Sequence, residues 1–419
     1  MRNLGIAVLA LVCGAPPATA KTPEQVADAA LRAAPVWDGH NDVPEQLRER
    51  RKDLIADFEF RDTTQTADPA NDRVAMQTDL TRLRRGRVGA QFWSVYVSAT
   101  LPEPQAVQAT LEQIDVTKRL IARYPKDLQL ATSAAEVEAA VKAGRIASLI
   151  GMEGGYSIGG SLGVLRQMYA LGARYMTLTH FKTLTWADSA TDAPRHDGLT
   201  PFGLDVVREM QRIGMLVDLS HVSEATMIDT LDVARAPVMF SHSGAQAVAS
   251  HPRNVSDAVL ARLKANGGIV MVVTLPSYVS DAARDWGLRK IAEKARLEEL
   301  NTGRDPKVAA AALEAWVKAD PAPRATLAQL ADHVDRIVQV AGIDHVGLGG
   351  DFDGMATTTQ GFDDVSAYPA LFAELARRGY AQADLEKIAS RNMLRVLKAA
   401  EAYATAHRSD PPIESPTTF

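Results

Sequence analysis

Short apolar runs alternate with longer amphipathic stretches along most of the chain. The strand-like runs are PVWDGH, VGAQFWSVYV, ASLIGMEGG, ARYMTLTH, GMLVDLSH, APVMFSHS, GGIVMVVTL and DHVGLGGDF. They are nearly continuously apolar, which is typical of parallel strands covered on both faces. Stretches between them, such as SLGVLRQMYALG and PFGLDVVREMQRIG, have the apolar spacing of helices and end at a glycine, a common helix stop. The pattern predicts strands that alternate with helices.

Eight such strands favour an α/β fold of the (β/α)8 TIM-like barrel type. An open doubly wound sheet is the alternative, but it usually has a Gly-rich dinucleotide turn after its first strand, and DGHNDVPE is not one. Residues 281–324 are rich in Ala, Lys and Glu and interrupt the alternation. We therefore predict a single barrel domain over residues 21–419, with a helical insertion at 281–324 after strand seven.

The first twenty residues differ from the rest of the chain. Arg2 precedes the apolar stretch LGIAVLALVC, and PPATA ends in small residues before Lys21. This order is typical of a secretory signal peptide cleaved after Ala20, and the apolar run is too short for a membrane anchor. Lipoprotein anchoring at Cys13 is the less favoured alternative, because bulky Val12 stands where a small residue is expected. The prediction is an exported protein, periplasmic or secreted, with no transmembrane span in its mature chain.

Composition excludes some classes of function. The chain has 419 residues, 46% of them hydrophobic, which allows a large core. Its net charge of −5 and the lack of a basic run argue against nucleic acid as a partner. Cys13 is the only cysteine and precedes the predicted cleavage site, so the mature chain would have neither a disulfide nor a cysteine nucleophile.

Ionisable residues stand at the carboxyl ends of six predicted strands. They are His40 and Asp42, Glu153, His180, His221, His242 and Asp351, from strands one, three, four, five, six and eight. In a barrel these ends meet at one mouth, where active sites of the fold are built. His40 and Asp42 are two residues apart on an extended segment, so their side chains point to the same side. We expect all of these side chains to lie in one small region.

A divalent cation would compensate the acids and neutral histidines together, whereas burying them unpaired would cost several kcal/mol. The nitrogen and oxygen donors suit catalytic zinc, with Mn²⁺ or Co²⁺ as acceptable substitutes. The predicted ligands are His40, Asp42, Glu153, His221 and His242. Five ligands are too many for one tetrahedral ion that keeps an open position. They predict two Zn²⁺ ions, bridged by Glu153 and by a water whose pKa is lowered to about 7. A lone histidine at a strand end is more often structural, so the prediction depends on several such residues at strand ends that meet at one mouth of the barrel.

Seven motifs along the chain also resemble a known family. They are WDGHND, GMEGG, YMTLTH, VDLSHVS, APVMFSHS, HPRNV and DHVGLGGDFDG, in this order. Together they resemble the membrane dipeptidases, or renal dipeptidases, among the amidohydrolase-like metal barrels. The resemblance extends from about residue 34 to 399 and is broken at 281–324. It implies a zinc-dependent metallo-dipeptidase that hydrolyses dipeptides, including those with a C-terminal D-residue, through a metal-bridging hydroxide.

The resemblance implies a role for each site residue. One zinc ion would be held by His40, Asp42 and Glu153, and the other by Glu153, His221 and His242. His180 matches a histidine that stabilises the oxyanion near the substrate carbonyl. Arg253 matches the arginine that binds the substrate's terminal carboxylate, and Tyr278 matches a tyrosine beside it, although VVTLP before Tyr278 departs from the family's more polar sequence. Asp351 matches the acid that moves a proton from the water to the leaving amine.

Two other functions are compatible with the same barrel. Another binuclear amidohydrolase, such as a lactonase or a deaminase, more often has a lysine as the bridging ligand, where this chain has Glu153. A non-catalytic exported binding protein would be expected to have lost ligands or Asp351, and none is missing. The sequence also leaves open whether residues 281–324 cover the mouth of the barrel or form a homodimer contact.

Overall fold

A computed structural model describes residues 21–71 and 73–416. The nine strands of these residues are β1 Val36–Asn41, β2 Val88–Tyr96, β3 Leu128–Leu130, β4 Ile146–Glu153, β5 Ala173–Thr177, β6 Leu216–Asp218, β7 Met239–Ser243, β8 Ile269–Val272 and β9 Val346–Leu348. They form one parallel sheet in the order β2-β1-β9-β8-β7-β6-β5-β4-β3. Strands β2 and β4 also pair with each other, which closes eight strands into a barrel. The predicted (β/α)8 fold is confirmed.

Strand β3 lies outside the closed ring. It pairs with the first half of β4, from Leu128 opposite Ile146 to Leu130 opposite Ser148, on the edge where β5 pairs with the second half. The sequence prediction lacks this strand because three residues within the mixed stretch DLQLATS are too few to show a strand pattern.

Helices connect the strands and cover the barrel. They are α1 Pro23–Ala33, α2 Val43–Arg51, α3 Leu80–Arg85, α4 Glu103–Arg123, α5 Ala134–Lys142, α6 Leu162–Ala170, α7 Pro201–Ile213, α8 Glu224–Val233, α9 Asp257–Asn266, α10 Pro276–Val279, α11 Asp281–Leu300, α12 Pro306–Ala319, α13 Leu327–Val340, α14 Tyr368–Arg377, α15 Gln382–Glu386 and α16 Asn392–Ala406. Ser133, Thr200 and Ser256 begin three of them by accepting a hydrogen bond from a first-turn N–H. Gly214 and Gly267 end two of the same three helices, α7 and α9, with left-handed φ angles of 86° and 81°. Helices α11 and α12 fall within residues 281–324, after the seventh strand of the ring.

The two ends of the barrel are built differently. All residues of β1, β4, β5 and β7 are buried, as expected for strands between a packed interior and covering helices. At the amino end, Met393 and Val396 of α16 pack in one apolar cluster with Trp37 and Phe92. The carboxyl end instead opens into a polar cleft.

The predicted signal peptide and Cys13 lie outside the described residues. Within residues 21–71 and 73–416, none of the helices combines the length and the apolar character that crossing a bilayer requires.

Candidate metal centre and substrate cleft

A cleft with an empty volume of about 520 Å³, including its open mouth, lies at the carboxyl ends of the barrel strands. The predicted site residues that line it are Asp42, Glu153, His180, His221, His242, Arg253, Tyr278 and Asp351. His40 lies just beneath its floor, fully buried, with Nε2 3.3 Å from Asp42 Oδ1 and from Glu153 Oε2. The fold therefore brings every predicted site residue together.

Glu153, the last residue of β4, lies at the centre of the cluster. Its Oε2 faces His40, whereas its Oε1 lies 3.1 Å from His221 Nε2 and 3.5 Å from His242 Nε2. Two triads share this carboxylate, His40–Asp42–Glu153 and Glu153–His221–His242, each with ligand atoms within 4.8 Å of one another. Histidine nitrogens and carboxylate oxygens at these separations form a metal-binding cluster.

Local backbone geometry turns several of these side chains inward. Asp42 occupies the N-cap position of α2, yet its side chain makes no capping bond, and its buried Oδ2 has no hydrogen-bond partner. His221 and Asp351 have left-handed φ angles of 71° and 61°. Such a conformation costs a non-glycine residue on the order of 1–3 kcal/mol and persists only where the surrounding structure enforces it.

The prediction that His180, His221 and Asp351 end their strands is wrong by three residues. Strands β5, β6 and β9 end at Thr177, Asp218 and Leu348, and the three site residues follow in the connecting segments. The left-handed φ angles of His221 and Asp351 place these two residues outside the strand conformation. The site residues nevertheless lie at the carboxyl end of the barrel.

Hydrogen bonds to the outer ring nitrogen orient two of the histidines. The hydroxyl of Tyr175 lies 2.8 Å from His40 Nδ1. Ser241 Oγ lies 2.8 Å from His242 Nδ1 and donates to the carboxylate of Asp218 at 2.6 Å. These contacts leave the Nε2 atom of each ring directed into the cluster, which is how supporting residues usually orient metal-ligating histidines.

Burial and neighbouring charges set the ionisation of the histidines on the far side of Glu153. Burial, Arg253 and nearby histidines lower the pKa values of His221 and His242 well below their ordinary range. Their neutral form is the one that binds metal. Their Nε2 atoms lie only 3.0 Å apart, so at most one can carry a proton there.

The pKa values of Glu153 and Asp351 are shifted in opposite directions. Although burial alone raises the pKa of Glu153, the nearby His40 and His180 hold it well below its usual value. Burial and the carboxylate of Asp42 instead raise the pKa of Asp351 well above the ordinary range. Glu153 is therefore suited to staying ionised as a ligand, whereas Asp351 is suited to carrying a proton.

His40 is surrounded by acidic groups. Burial lowers the pKa of this histidine, but Tyr175, Glu153 and Asp42 together raise it well above its ordinary value. Its buried Nε2 has no hydrogen-bond partner. A cation at this position would satisfy the nitrogen and both carboxylates together.

Arg253 is a buried cation on the opposite side of the cleft. Its guanidinium lies 3.4 Å from Ser243 Oγ and 3.3 Å from the carbonyl oxygen of His242, while Nε has no hydrogen-bond partner. Tyr278 packs beside it, with the ring centroid 5.3 Å from the guanidinium carbon. Among the residues that the structure describes, no carboxylate forms an ion pair with Arg253. Since a buried cation without a counter-ion is costly, an anionic ligand fits this position.

The cleft contains further residues that the sequence did not identify. They are Glu45, Tyr96, Phe181, Leu275 and Gly354. The rings of Tyr96 and Phe181 contact the His180 ring, with centroids 4.6 Å and 3.9 Å away. Tyr96 and Phe181 have the sequence context of ordinary core or loop residues, whereas Gly354 is the last residue of the motif DHVGLGGDFDG.

Glu45 is the one additional acid of this set and lies in the first turn of α2. Its only sequence signal is its position three residues after Asp42. Burial and the carboxylates of Asp42 and Glu153 raise the pKa of Glu45 well above its ordinary value. Positive charge bound between those carboxylates would lower it again.

Comparisons with known proteins match this geometry. The family model described as membrane dipeptidase (peptidase family M19) matches residues 24–411. The chain is 39% identical over 408 residues to an uncharacterized dipeptidase of Schizosaccharomyces pombe, covering 94% of this chain and 87% of that relative.

Solved structures with the same fold include two from bacteria. The probable dipeptidase PvdM of Pseudomonas aeruginosa has a TM-score of 0.75 and 24% identity, covering 91% of this chain and 99% of that one. A metallo peptidase of Rhodobacter sphaeroides, liganded with a phosphinate mimic of the dipeptide L-Ala-D-Ala, has a TM-score of 0.68 and 23% identity, covering 88% of this chain and 99% of that one.

The resemblance that the seven motifs indicate is thus confirmed over nearly the whole length of the chain. The barrel, its cluster of histidines and carboxylates, and the match to the family agree with one another. The chain belongs to the membrane dipeptidase family, peptidase family M19, and is a metallo-dipeptidase.

Proposed function

We propose that the protein is a zinc-dependent dipeptidase with two ions bridged by Glu153. The observation that carries the proposal is the pair of triads that share this carboxylate. Their donors are imidazole nitrogens and carboxylate oxygens without sulfur, a set that suits catalytic zinc. The buried atoms His40 Nε2 and Asp42 Oδ2 have no hydrogen-bond partner, which also fits a bound cation.

When bound, two zinc ions would polarise the scissile carbonyl and lower the pKa of a bound water to about 7, so that hydroxide would be available at neutral pH. The chain's own residues would do the rest. Asp351 would accept the proton of the attacking water and deliver it to the leaving nitrogen, a task that suits its raised pKa. His180, whose Nε2 lies 3.5 Å from Glu153 Oε1, would donate a hydrogen bond to the oxyanion.

Arg253 and Tyr278 would bind the carboxylate at the C-terminus of the substrate. The planar guanidinium of Arg253 matches a carboxylate, and its burial without an acidic partner leaves it free for this role. A carboxylate held there, with the scissile carbonyl at the metal cluster, leaves room for a single residue on the C-terminal side of the scissile bond, as in a dipeptide. We propose that C-terminal D-residues are accepted, and the dipeptide mimic L-Ala-D-Ala bound to the Rhodobacter sphaeroides protein supports this extension.

The test is hydrolysis of a panel of L,L- and L,D-dipeptides by chelator-treated protein. Activity should vanish with the chelator and return with Zn²⁺ at two equivalents per chain, as measured by metal analysis. Full activity of the metal-free protein would refute the proposal. Saturation of activity at one equivalent would remove the second ion from it.

We further propose that residues 1–20 direct export and that residues 21–419 form one domain. The order of charged, apolar and small residues before Lys21 supports the first statement. Mass spectrometry of the protein from its native host should give an N-terminus at Lys21. Limited proteolysis should leave no stable fragment smaller than the barrel.

A further inference from the structure

A second cavity adjoins the catalytic cleft. This side chamber is open to solvent, has an empty volume of about 730 Å³ including its open mouth, and shares Glu45 and Gly354 with the cleft. A Cβ atom at residue 354 would lie 2.4 Å from Asp42 Oδ2. Glycine at this position therefore leaves space between the two cavities and leaves the carboxylate of Asp42 undisturbed.

The other charged side chains of the side chamber have hydrogen-bond partners within the protein. Arg73 donates to Glu49 Oε2 at 3.2 Å, and Arg50 donates to two backbone carbonyl oxygens at 2.7 Å. Glu45 differs from them. The charged groups that raise its pKa are carboxylates, and no described cationic side chain forms an ion pair with it. The boundary between cleft and side chamber thus carries an acid without a counter-ion.

The position of this acid relative to Arg253 indicates which part of a substrate it would meet. Glu45 follows β1, whereas Arg253 follows β7, and β8 and β9 lie between those strands in the barrel. On the proposed function, the substrate carboxylate lies at Arg253 and its scissile carbonyl at the metal cluster. The amino-terminal residue must then extend away from Arg253, toward Glu45 and the side chamber.

We propose that the side chamber binds the side chain of the substrate's amino-terminal residue and that Glu45 selects a cationic side chain there. If Glu45 bound only the α-ammonium group of the substrate, the side chamber would stay empty. A lysine side chain has a long flexible stem that reaches into the side chamber, and its primary ammonium pairs with a carboxylate. The preferred substrate class is therefore dipeptides with a basic amino-terminal residue.

The experiment compares kcat/KM for lysyl-alanine with that for norleucyl-alanine, whose side chain has similar length without charge. The zinc-loaded wild-type protein should prefer the lysyl substrate by about tenfold or more, the range of a charge-assisted hydrogen bond. Glu45→Gln should reduce this preference to about twofold or less. Glu45→Lys should instead favour glutamyl-alanine over norleucyl-alanine.

Glu49→Gln is the matched control, because Glu49 lies one turn further along α2 and lines the same chamber but is paired with Arg73. Its preference for the lysyl substrate should stay within about twofold of wild type. Metal content and melting temperature, measured for each variant, identify any protein that has lost its centre or its fold.

The outcomes separate this inference from the proposed function. A wild-type protein that hydrolyses both substrates with equal kcat/KM overturns the inference without any variant. A Glu45→Gln variant that loses both activities by the same factor also overturns it, because Glu45 would then bind the α-ammonium group. Failure of the zinc-loaded protein to hydrolyse any dipeptide would refute the proposed function itself.

Discussion

The two walls of the cleft carry charges of opposite sign. On the side of β1 and β2, Asp42 and Glu45 present carboxylates, and no described Arg or Lys side chain forms an ion pair with either of them. On the side of β7 and β8, Arg253 presents a buried guanidinium without an acidic partner. Proteins usually neutralise buried charges internally. The separation of the two charges indicates that this cleft suits a ligand with a negative end and positive charge elsewhere, as in a dipeptide zwitterion.

The walls also differ in how the fold holds them. The acidic wall is formed directly at the turn from β1 into α2, without an intervening loop. The basic wall depends on the loop between β7 and α9, where Asn254 accepts a hydrogen bond from Gly244 N and donates to the carbonyl oxygens of Ala249 and Tyr278, all at 2.8 Å. Substitutions between the walls should therefore affect the chemistry, and substitutions in the basic wall should affect substrate binding and stability.

The largest effect is expected at the carboxylate that lies between the walls. Glu153→Gln should remove a ligand common to both triads and lower kcat/KM for alanyl-alanine by more than about 10³-fold. Metal analysis should show fewer ions per chain. Normal metal content with normal activity would contradict the bridging role.

A smaller loss is expected for Asp351, the proposed proton carrier. Asp351→Asn should lower kcat by about 10²–10⁴-fold, the usual contribution of general acid–base catalysis. Asparagine tolerates the left-handed φ of 61° at this position, so the backbone should be preserved. The check is metal content and melting temperature close to wild type beside the reduced kcat. A kcat within threefold of wild type would contradict the role.

The basic wall is tested with Arg253→Leu. Loss of the guanidinium should weaken transition-state binding of free-acid dipeptides by about 2–4 kcal/mol, because the substrate carboxylate would be buried unpaired. The effect should appear in kcat/KM, measured beside the same dipeptides with an amidated C-terminus.

The amidated dipeptides are the control for this variant. They lack the carboxylate, so wild type and variant should differ much less on them than on the free acids. An equal loss on both substrate types would mean that Arg253 supports the fold of the cleft rather than the substrate carboxylate.

The barrel and the ligand cluster were predictable because each depends on a local pattern. A continuous apolar run followed by an ionisable residue, as in Val36–His40 or Ile146–Glu153, identifies both a buried strand and its functional end. Parallel strands in a closed barrel then bring such ends together whatever their separation along the chain. The order of the seven motifs indicated the family, and the match to the family model confirms it.

Other parts of the site could not be predicted because their sequence context is ordinary. Glu45 stands in the first turn of a helix, where an acid is favoured for electrostatic reasons alone. Tyr175 lies in a buried strand, so nothing in the sequence distinguishes its contact with His40 from core packing. The left-handed φ of His221 depends on the surrounding fold. The place of Glu45 in the cleft, the contact between Tyr175 and His40 and the turn at His221 therefore emerge only in three dimensions.

The smallest predicted effect concerns the stability of the basic wall. Burial and Arg253 lower the pKa of His251 from the ordinary 6.5 to about 4, and its Nδ1 accepts a hydrogen bond from Arg253 N. Between pH 6.5 and 4 the unfolded chain binds a proton that the folded chain does not, so this histidine makes stability fall as the pH falls. In zinc-saturated protein, His251→Gln should keep an acceptor and reduce the fall in melting temperature between pH 7 and pH 5 by about 1–2 °C. Equal falls in both proteins would show that His251 does not couple the basic wall to pH.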